Sequence, residues 1–314
     1  MESMVHSLWS MDCKRLLLAL IILCSGFSLK AQNNPDTTLS IVIDTAIVNI
    51  RSHRLTEQDF IDAVVADTGF YKAFRDMKRY SFIAENHIYT YDKKSKPEGE
   101  IYRKVRRTMT GNRTKVEYLE KYDKGKLYKK NGKYDLYTVE MFDYIFNSAY
   151  QSDFSDREGL PAEGKNASYK DKLKTLIFQP GRKINGIPFL SKKTEIFGRD
   201  MRQYYFYEFA RGTYLDSIPV YRFKVKRKPS TADSDVMINE LTTIFDVRDF
   251  KILGRYVDMK YHNMLFDFDV KMNIELVPFR DKLLPAKISY QGNWDVPLHK
   301  EERASFLITQ REYK

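Results

Sequence analysis

Cysteine is nearly absent: the 314 residues hold two, Cys13 and Cys24. Both lie in a stretch with the layout of a secretory leader, where Lys14-Arg15 precedes the apolar run Leu16 to Leu29, and Leu29-Lys30-Ala31 precedes Gln32. The run is 14 residues long. A helix needs ~20 to cross a bilayer, so residues 1–31 are expected to be a signal peptide cleaved after Ala31. Met11 offers an alternative start, and Leu23 before Cys24 stands where lipid attachment needs a small residue. Cleavage removes every thiol, which excludes disulfide scaffolds, thiolate metal sites and cysteine nucleophiles. Tryptophan is as rare, and only Trp294 would remain. Gly 14 and Pro 10 are too few for a fibrous or low-complexity chain. The metalloprotease, nucleophile-elbow, phosphate-loop and dinucleotide patterns are all missing.

Aromatics are plentiful, with Tyr 22 and Phe 20, and supply the surface for a folded, β-rich body. Lys+Arg 53 exceed Asp+Glu 42, giving a net charge of +11, or +10 once the leader is removed. Residues 32–50 read as a mobile lead-in followed by a first strand from Leu39, and 51–314 as one β-rich domain with helices near 56–79, 139–150 and 169–178. Thr56 is a natural N-cap with Asp59 three residues on, and Phe60, Ile61, Val64 and Val65 follow at helical spacing. Gly69 is expected to break or kink that helix. After Tyr80 the period falls to two over 80–92, 100–110 and 114–122, with Asp123-Lys124-Gly125 and Asn131-Gly132 as hairpin punctuation. A long β region is expected from about Thr194 to the end.

The clearest pattern is Phe266, Phe268, Val270, Met272, Ile274 and Leu276 alternating with Asp267, Asp269, Lys271, Asn273 and Glu275. Such a strand has one apolar and one wet face. Tyr221, Phe223 and Val225 alternate with Arg222, Lys224 and Lys226 in the same way. The apolar face admits two readings. It either fills an ordinary core or lines a groove suited to an acyl chain, which gains ~0.8 kcal/mol per buried CH₂. In the second reading those six residues line the concave side.

Site chemistry is otherwise thin. His53, His87, His262 and His299 are scattered, and Asp267/Asp269 and Asp233/Asp235 lack the further ligands of a calcium loop. No metal or cofactor is expected. A cleft holding two facing carboxylates or a histidine–carboxylate pair would point to an enzyme. Basic clusters at Arg103, Lys104, Arg106 and Arg107, and at Lys121, Lys124, Lys126, Lys129, Lys130 and Lys133, either solubilise hairpin edges or meet anionic partners. An exported chain meets lipid phosphates and envelope proteins, so nucleic acid is not expected. Helical segments among the strands also argue against a spanning barrel.

The order of elements, closing on Thr243-Ile244-Phe245-Asp246, Lys251-Ile252-Leu253 and Lys282-Leu283-Leu284-Pro285-Ala286-Lys287-Ile288, resembles the outer-membrane lipoprotein-sorting superfamily. It is more weakly similar to the β-rich region preceding the barrel in certain outer-membrane proteins. The likeness spans residues 194–314, and the first half only by element order. It implies an α+β, mostly antiparallel fold: a curved, unclosed half-barrel meander covered by a few helices. It also implies a non-enzymatic periplasmic protein, peripheral to the membrane, that holds a lipid or a lipoprotein acyl chain. The alternative is a structural or accessory subunit of an outer-membrane protein complex, with the same fold and a filled core.

Overall fold

The computed structural model describes residues 55–111, 113–142, 175–184, 192–262, 267–295 and 301–314. All belong to the unit Thr38–Lys314. The signal peptide, the strand expected from Leu39 to Ile50, and Phe266 lie outside the described residues, as do most of the helices expected at 139–150 and 169–178.

The helix expected at Thr56 is present as α1, Glu57–Ala66, and its capping box is formed: Asp59 N donates to Thr56 Oγ1 at 3.3 Å, and Thr56 N donates to Asp59 Oδ2 at 2.7 Å. The helix breaks at Asp67–Thr68, immediately before Gly69, and a second helix carrying Phe70 and Phe74 follows as α2 (Gly69–Asp76). Asp67 explains the second start, because its carboxylate accepts from the backbone N–H of Gly69 and Phe70 and so starts a helix there. A 3₁₀ turn, Met77–Arg79, leads into the sheet. Two further helices are α3, Tyr137–Phe142, and α4, Arg199–Arg202. A helical turn also occupies 175–178.

Ten strands form one antiparallel sheet: β1 Phe82–Tyr91, β2 Pro97–Thr110, β3 Arg113–Gly125, β4 Tyr205–Tyr214, β5 Ile218–Arg227, β6 Ile238–Asp246, β7 Ile252–His262, β8 Asp267–Phe279, β9 Lys282–Asp295 and β10 Glu302–Arg311. The spatial order is β3-β2-β1-β10-β9-β8-β7-β6-β5-β4. Every neighbour in space is thus a neighbour in sequence except β1 and β10, which zip the two halves together from Ile83↔Arg311 to Tyr91↔Arg303. β3 and β4 are edges, so the curved sheet is an unclosed half-barrel. The long β region starts at Tyr205, because Gly198 and the α4 turn precede it. Asp123-Lys124-Gly125 makes no hairpin: Asp123 and Gly125 still pair with Ile101 and Gly99 inside β3. Gly125 has φ +79°, and a Cβ there would stand 2.0 Å from the Glu98 carbonyl oxygen, so the closeness of β2 explains this glycine.

The main core lies on one face of the sheet, beneath the helices. Phe60 of α1 sits among Phe209, Phe223, Phe245 and Phe250, with ring centroids 4.7–5.6 Å away, over the β4–β6 end. α2 lies against β9 and β7, and α3 against β10, where Phe142 meets Phe306 at 4.7 Å. The opposite face is not uniformly wet. Tyr214, Val220, Ile244 and Leu253 form a smaller outward cluster, and Arg222 is buried there with Nη2 donating to the Thr213 carbonyl oxygen. Arginine does this by laying its apolar stem along the cluster while its head finds a carbonyl.

Candidate functional site

Five of the six candidate lipid-contacting residues, Phe268, Val270, Met272, Ile274 and Leu276, are on the helix-covered face of β8, and each is at most 4 % exposed. The sixth, Phe266, lies outside the described residues. Register builds the surface outward from them. Phe268 is opposite Trp294 and Tyr261, Val270 opposite Gly292 and Met259, and Met272 opposite Tyr290 and Val257. On β9 the Tyr290 ring leans over Gly292, where a Cβ would come within 2.0 Å of its hydroxyl, and that hydroxyl accepts from Trp294 Nε1 at 2.7 Å. Tyr290 also stacks on Phe306 at 4.7 Å, and Trp294 on Phe268 at 5.0 Å. Aromatic rings therefore pave the β8–β10 end.

A polar island interrupts this apolar face. Arg255 of β7 pairs in register with Ile274 on one side and Thr243 on the other, which puts its side chain under the helices. It is 3 % exposed. Nη1 donates to the Phe178 carbonyl oxygen at 2.9 Å, Nη2 is 3.8 Å from Asp67 Oδ2, and the guanidinium carbon lies 4.4 Å from the Phe70 ring centre. Among the described residues Arg255 Nε and Nη2 make no hydrogen bond, and neither do the amide atoms of buried Gln179 or Thr243 Oγ1. Burial pulls the Arg255 guanidinium down to about 10, against the opposing charge of Asp67, so it stays charged at neutral pH. Burial likewise raises the Asp67 carboxyl, partly offset by Arg255 and by the α2 amides.

Polar links add to the apolar packing between the helical cover and the sheet and between the helices themselves. Glu302 of β10, buried, accepts from the backbone N–H of Tyr137 and Thr138 at 2.6 and 2.7 Å and so holds the start of α3. Tyr207 donates its hydroxyl to the Ile196 carbonyl oxygen at 2.6 Å, and Arg202 pairs with Glu57 of α1 at 2.7 Å.

Sequence reasoning missed Arg255, although a signal existed: reading back from Val257, Met259 and Tyr261 by twos lands on it, a charge on an otherwise apolar face. Asp67 and Gln179 sit outside strands, where no period marks them.

Among the described residues there are two histidine–carboxylate pairs. His262 Nδ1 is 2.7 Å from Asp267 at an exposed strand end. His87 Nε2 is 2.7 Å from Glu100 Oε1 on the outward face of β1 and β2, flanked by Tyr89 and Tyr102. Glu100 also accepts from Tyr122 Oη at 2.8 Å and Lys124 Nζ at 3.0 Å. Burial pushes its carboxyl up, but the bonds from His87, Lys124 and Tyr122 outweigh this and hold it at about 2. So acidic a carboxylate is a poor general base at neutral pH, and the network reads as a cross-strand tie. Of the paired aspartates, Asp233 is taken up by Arg227, and Asp269 faces Asp258, which together with burial raises its carboxyl.

No family profile and no curated protein matches the chain. Among solved structures it is similar to a LolA superfamily protein from Nitrosomonas europaea, at 10% identity over 79% of this chain and 94% of that one, with a TM-score of 0.20. It is similar also to an outer membrane lipoprotein-sorting protein domain from Vibrio parahaemolyticus, at 6% identity over 78% and 92%, TM-score 0.24. A DUF1329 family protein from Desulfovibrio piger is similar at 11% identity over 79% and 93%, TM-score 0.22.

Proposed function

We propose that the chain is a non-enzymatic exported protein of the periplasm, or of the periplasmic face of the outer membrane, that binds a lipid or a lipoprotein acyl chain on the helix-covered face of its sheet. Phe266, Phe268, Val270, Met272, Ile274 and Leu276 are the contacts proposed along β8. The observation carrying this reading is the seat of the cover: among the described residues, buried Arg255, Gln179 and Thr243 hold polar atoms that make no hydrogen bond under the helices. Each such group costs ~1–3 kcal/mol, so closing the helices on the sheet is partly opposed from within. An acyl chain entering between cover and sheet would replace the apolar contacts it breaks, since each buried CH₂ gains ~0.8 kcal/mol.

A second reading has its own support. The five described β8 residues are already buried, which suits a filled core and an accessory subunit of an outer-membrane complex. Native mass spectrometry of the full chain purified without detergent from a bacterial envelope, followed by solvent extraction, separates the two. Stoichiometric lipid that a competing fatty acid displaces is expected. A folded, lipid-free protein that takes up no added fatty acid would leave the accessory reading.

A further inference from the structure

The charge of this protein is concentrated at one edge of the sheet. Residues 93–133 hold fifteen lysines and arginines against five acids, a net +10 of the chain's +11. They form the β1–β2 turn, β2, edge strand β3 and the hairpin that follows.

Antiparallel pairing then sorts part of that charge to one end. The turn between β1 and β2 is closed by Asp92 N to the Lys96 carbonyl oxygen at 2.9 Å, and it exposes Lys93, Lys94 and Lys96. β3 returns to the same end, because Gly125 pairs with Gly99. Leu127 then packs against Gly99, where a Cβ would meet it at 2.6 Å. The chain next makes a small hairpin through the Tyr128↔Tyr134 bridge, with Gly132 N donating to the Lys129 carbonyl oxygen at 2.9 Å and Gly132 at φ +79°. That hairpin exposes Lys129, Lys130 and Lys133. Among the described residues none of these six lysines is in a salt bridge. Nearby acids hold other groups first: Asp92 accepts from the backbone N–H of Lys94 and Lys96 and feels their charges at longer range, Asp123 is held by Arg103 at 2.5 Å, and Glu301 is held by Arg303 at 2.8 Å with Lys93 farther off.

We infer that this lysine-bearing end of the β1–β3 wing docks on the surface of an anionic phospholipid bilayer. Long lysine stems outside any salt bridge suit a fluid layer of phosphates better than the fixed carboxylates of a folded partner. The aromatic content agrees, since Tyr128, 42 % exposed and stacked on Tyr134 at 5.3 Å, offers the amphipathic ring that favours the headgroup level. The inference is independent of whether the sheet's inner face holds lipid.

The test is flotation of the full chain with vesicles of phosphatidylglycerol and phosphatidylcholine, or of phosphatidylcholine alone. Binding to the anionic vesicles at low salt, with loss at 0.5 M salt, is expected. The variant Lys93→Glu/Lys94→Glu/Lys129→Glu/Lys130→Glu should bind about 100-fold more weakly or worse, given the contribution of each lysine near such a surface. A control with the same change in net charge, Arg113→Glu/Lys115→Glu/Lys226→Glu/Lys260→Glu, should retain most of the binding. Equal loss in both variants would overturn the assignment to this end. No binding by the parent chain would overturn the membrane itself and leave the lysines to an acidic protein, and equal binding to neutral vesicles would overturn the electrostatic basis. Circular dichroism melts of both variants exclude unfolding as the cause.

Discussion

Arg255 Nη1 donates a 2.9 Å hydrogen bond to the main-chain oxygen of Phe178, so a residue of the sheet's inner face holds the end of a helical turn inside the core. The same guanidinium balances Asp67, which starts α2. One buried charge therefore ties two pieces of the cover to β7.

Breaking that arrangement from one side strands the other charge. Arg255→Met should lower unfolding stability by ~2 kcal/mol, because half-buried Asp67 loses its counter-ion and keeps only the α2 amides. Adding Asp67→Asn should restore more than half of the loss. Urea unfolding of the two single variants and the double one measures the coupling, and additive effects would show that the pair at 3.8 Å is not energetically linked.

Met272 tests the facing of β8. Met272→Asp should cost at least ~4 kcal/mol or prevent folding, since the carboxylate would enter a face where Met272 is 4 % exposed. Lys271→Gln, one residue away on the exposed side, should change stability little. Normal folding and unchanged lipid content of Met272→Asp would remove β8 from the proposed contact surface.

Gly292→Ala should disturb a ring before it disturbs the strand. The new methyl would displace the Tyr290 hydroxyl and break its bond from Trp294 Nε1, at a cost of ~2 kcal/mol typical of overpacking. A changed Trp294 emission spectrum with unchanged far-ultraviolet circular dichroism is the expected outcome.

Glu100 predicts an acid-labile outer wing. Its folded pKa, about 2, is below the ordinary 4.5, so the stabilisation it provides is complete above pH 4.5 and is lost as pH falls toward 2. Glu100→Gln should therefore narrow its stability gap to the parent as pH is lowered through that window, as read by thermal melts at pH 6, 4 and 2.5. A gap that stays constant would mean the His87, Tyr122 and Lys124 bonds do not survive in solution.

Much of the architecture was legible because strict periods are local. The period-two run through Phe268 and Leu276 specified an amphipathic strand, the Thr56–Asp59 spacing specified a helix start, and the scarcity of cysteine specified a fold without a disulfide scaffold. None of these needs a distant partner. Other features escaped because they are set by pairing across the sheet. Gly125 reads as a turn but is a close approach to β2, and His87 reads as a stray surface residue until β2 brings Glu100 beside it.

By itself, then, the sequence determined the class of structure: a cysteine-poor, aromatic-rich antiparallel meander with short helices, basic overall. Only the tertiary structure decided which strand joins the halves, where Arg255 points, and that Lys93 and Lys130 share one end of the wing. The physical reason is that a side-chain period reports the two faces of a strand, whereas register and edge position arise from hydrogen bonds between segments far apart in the chain.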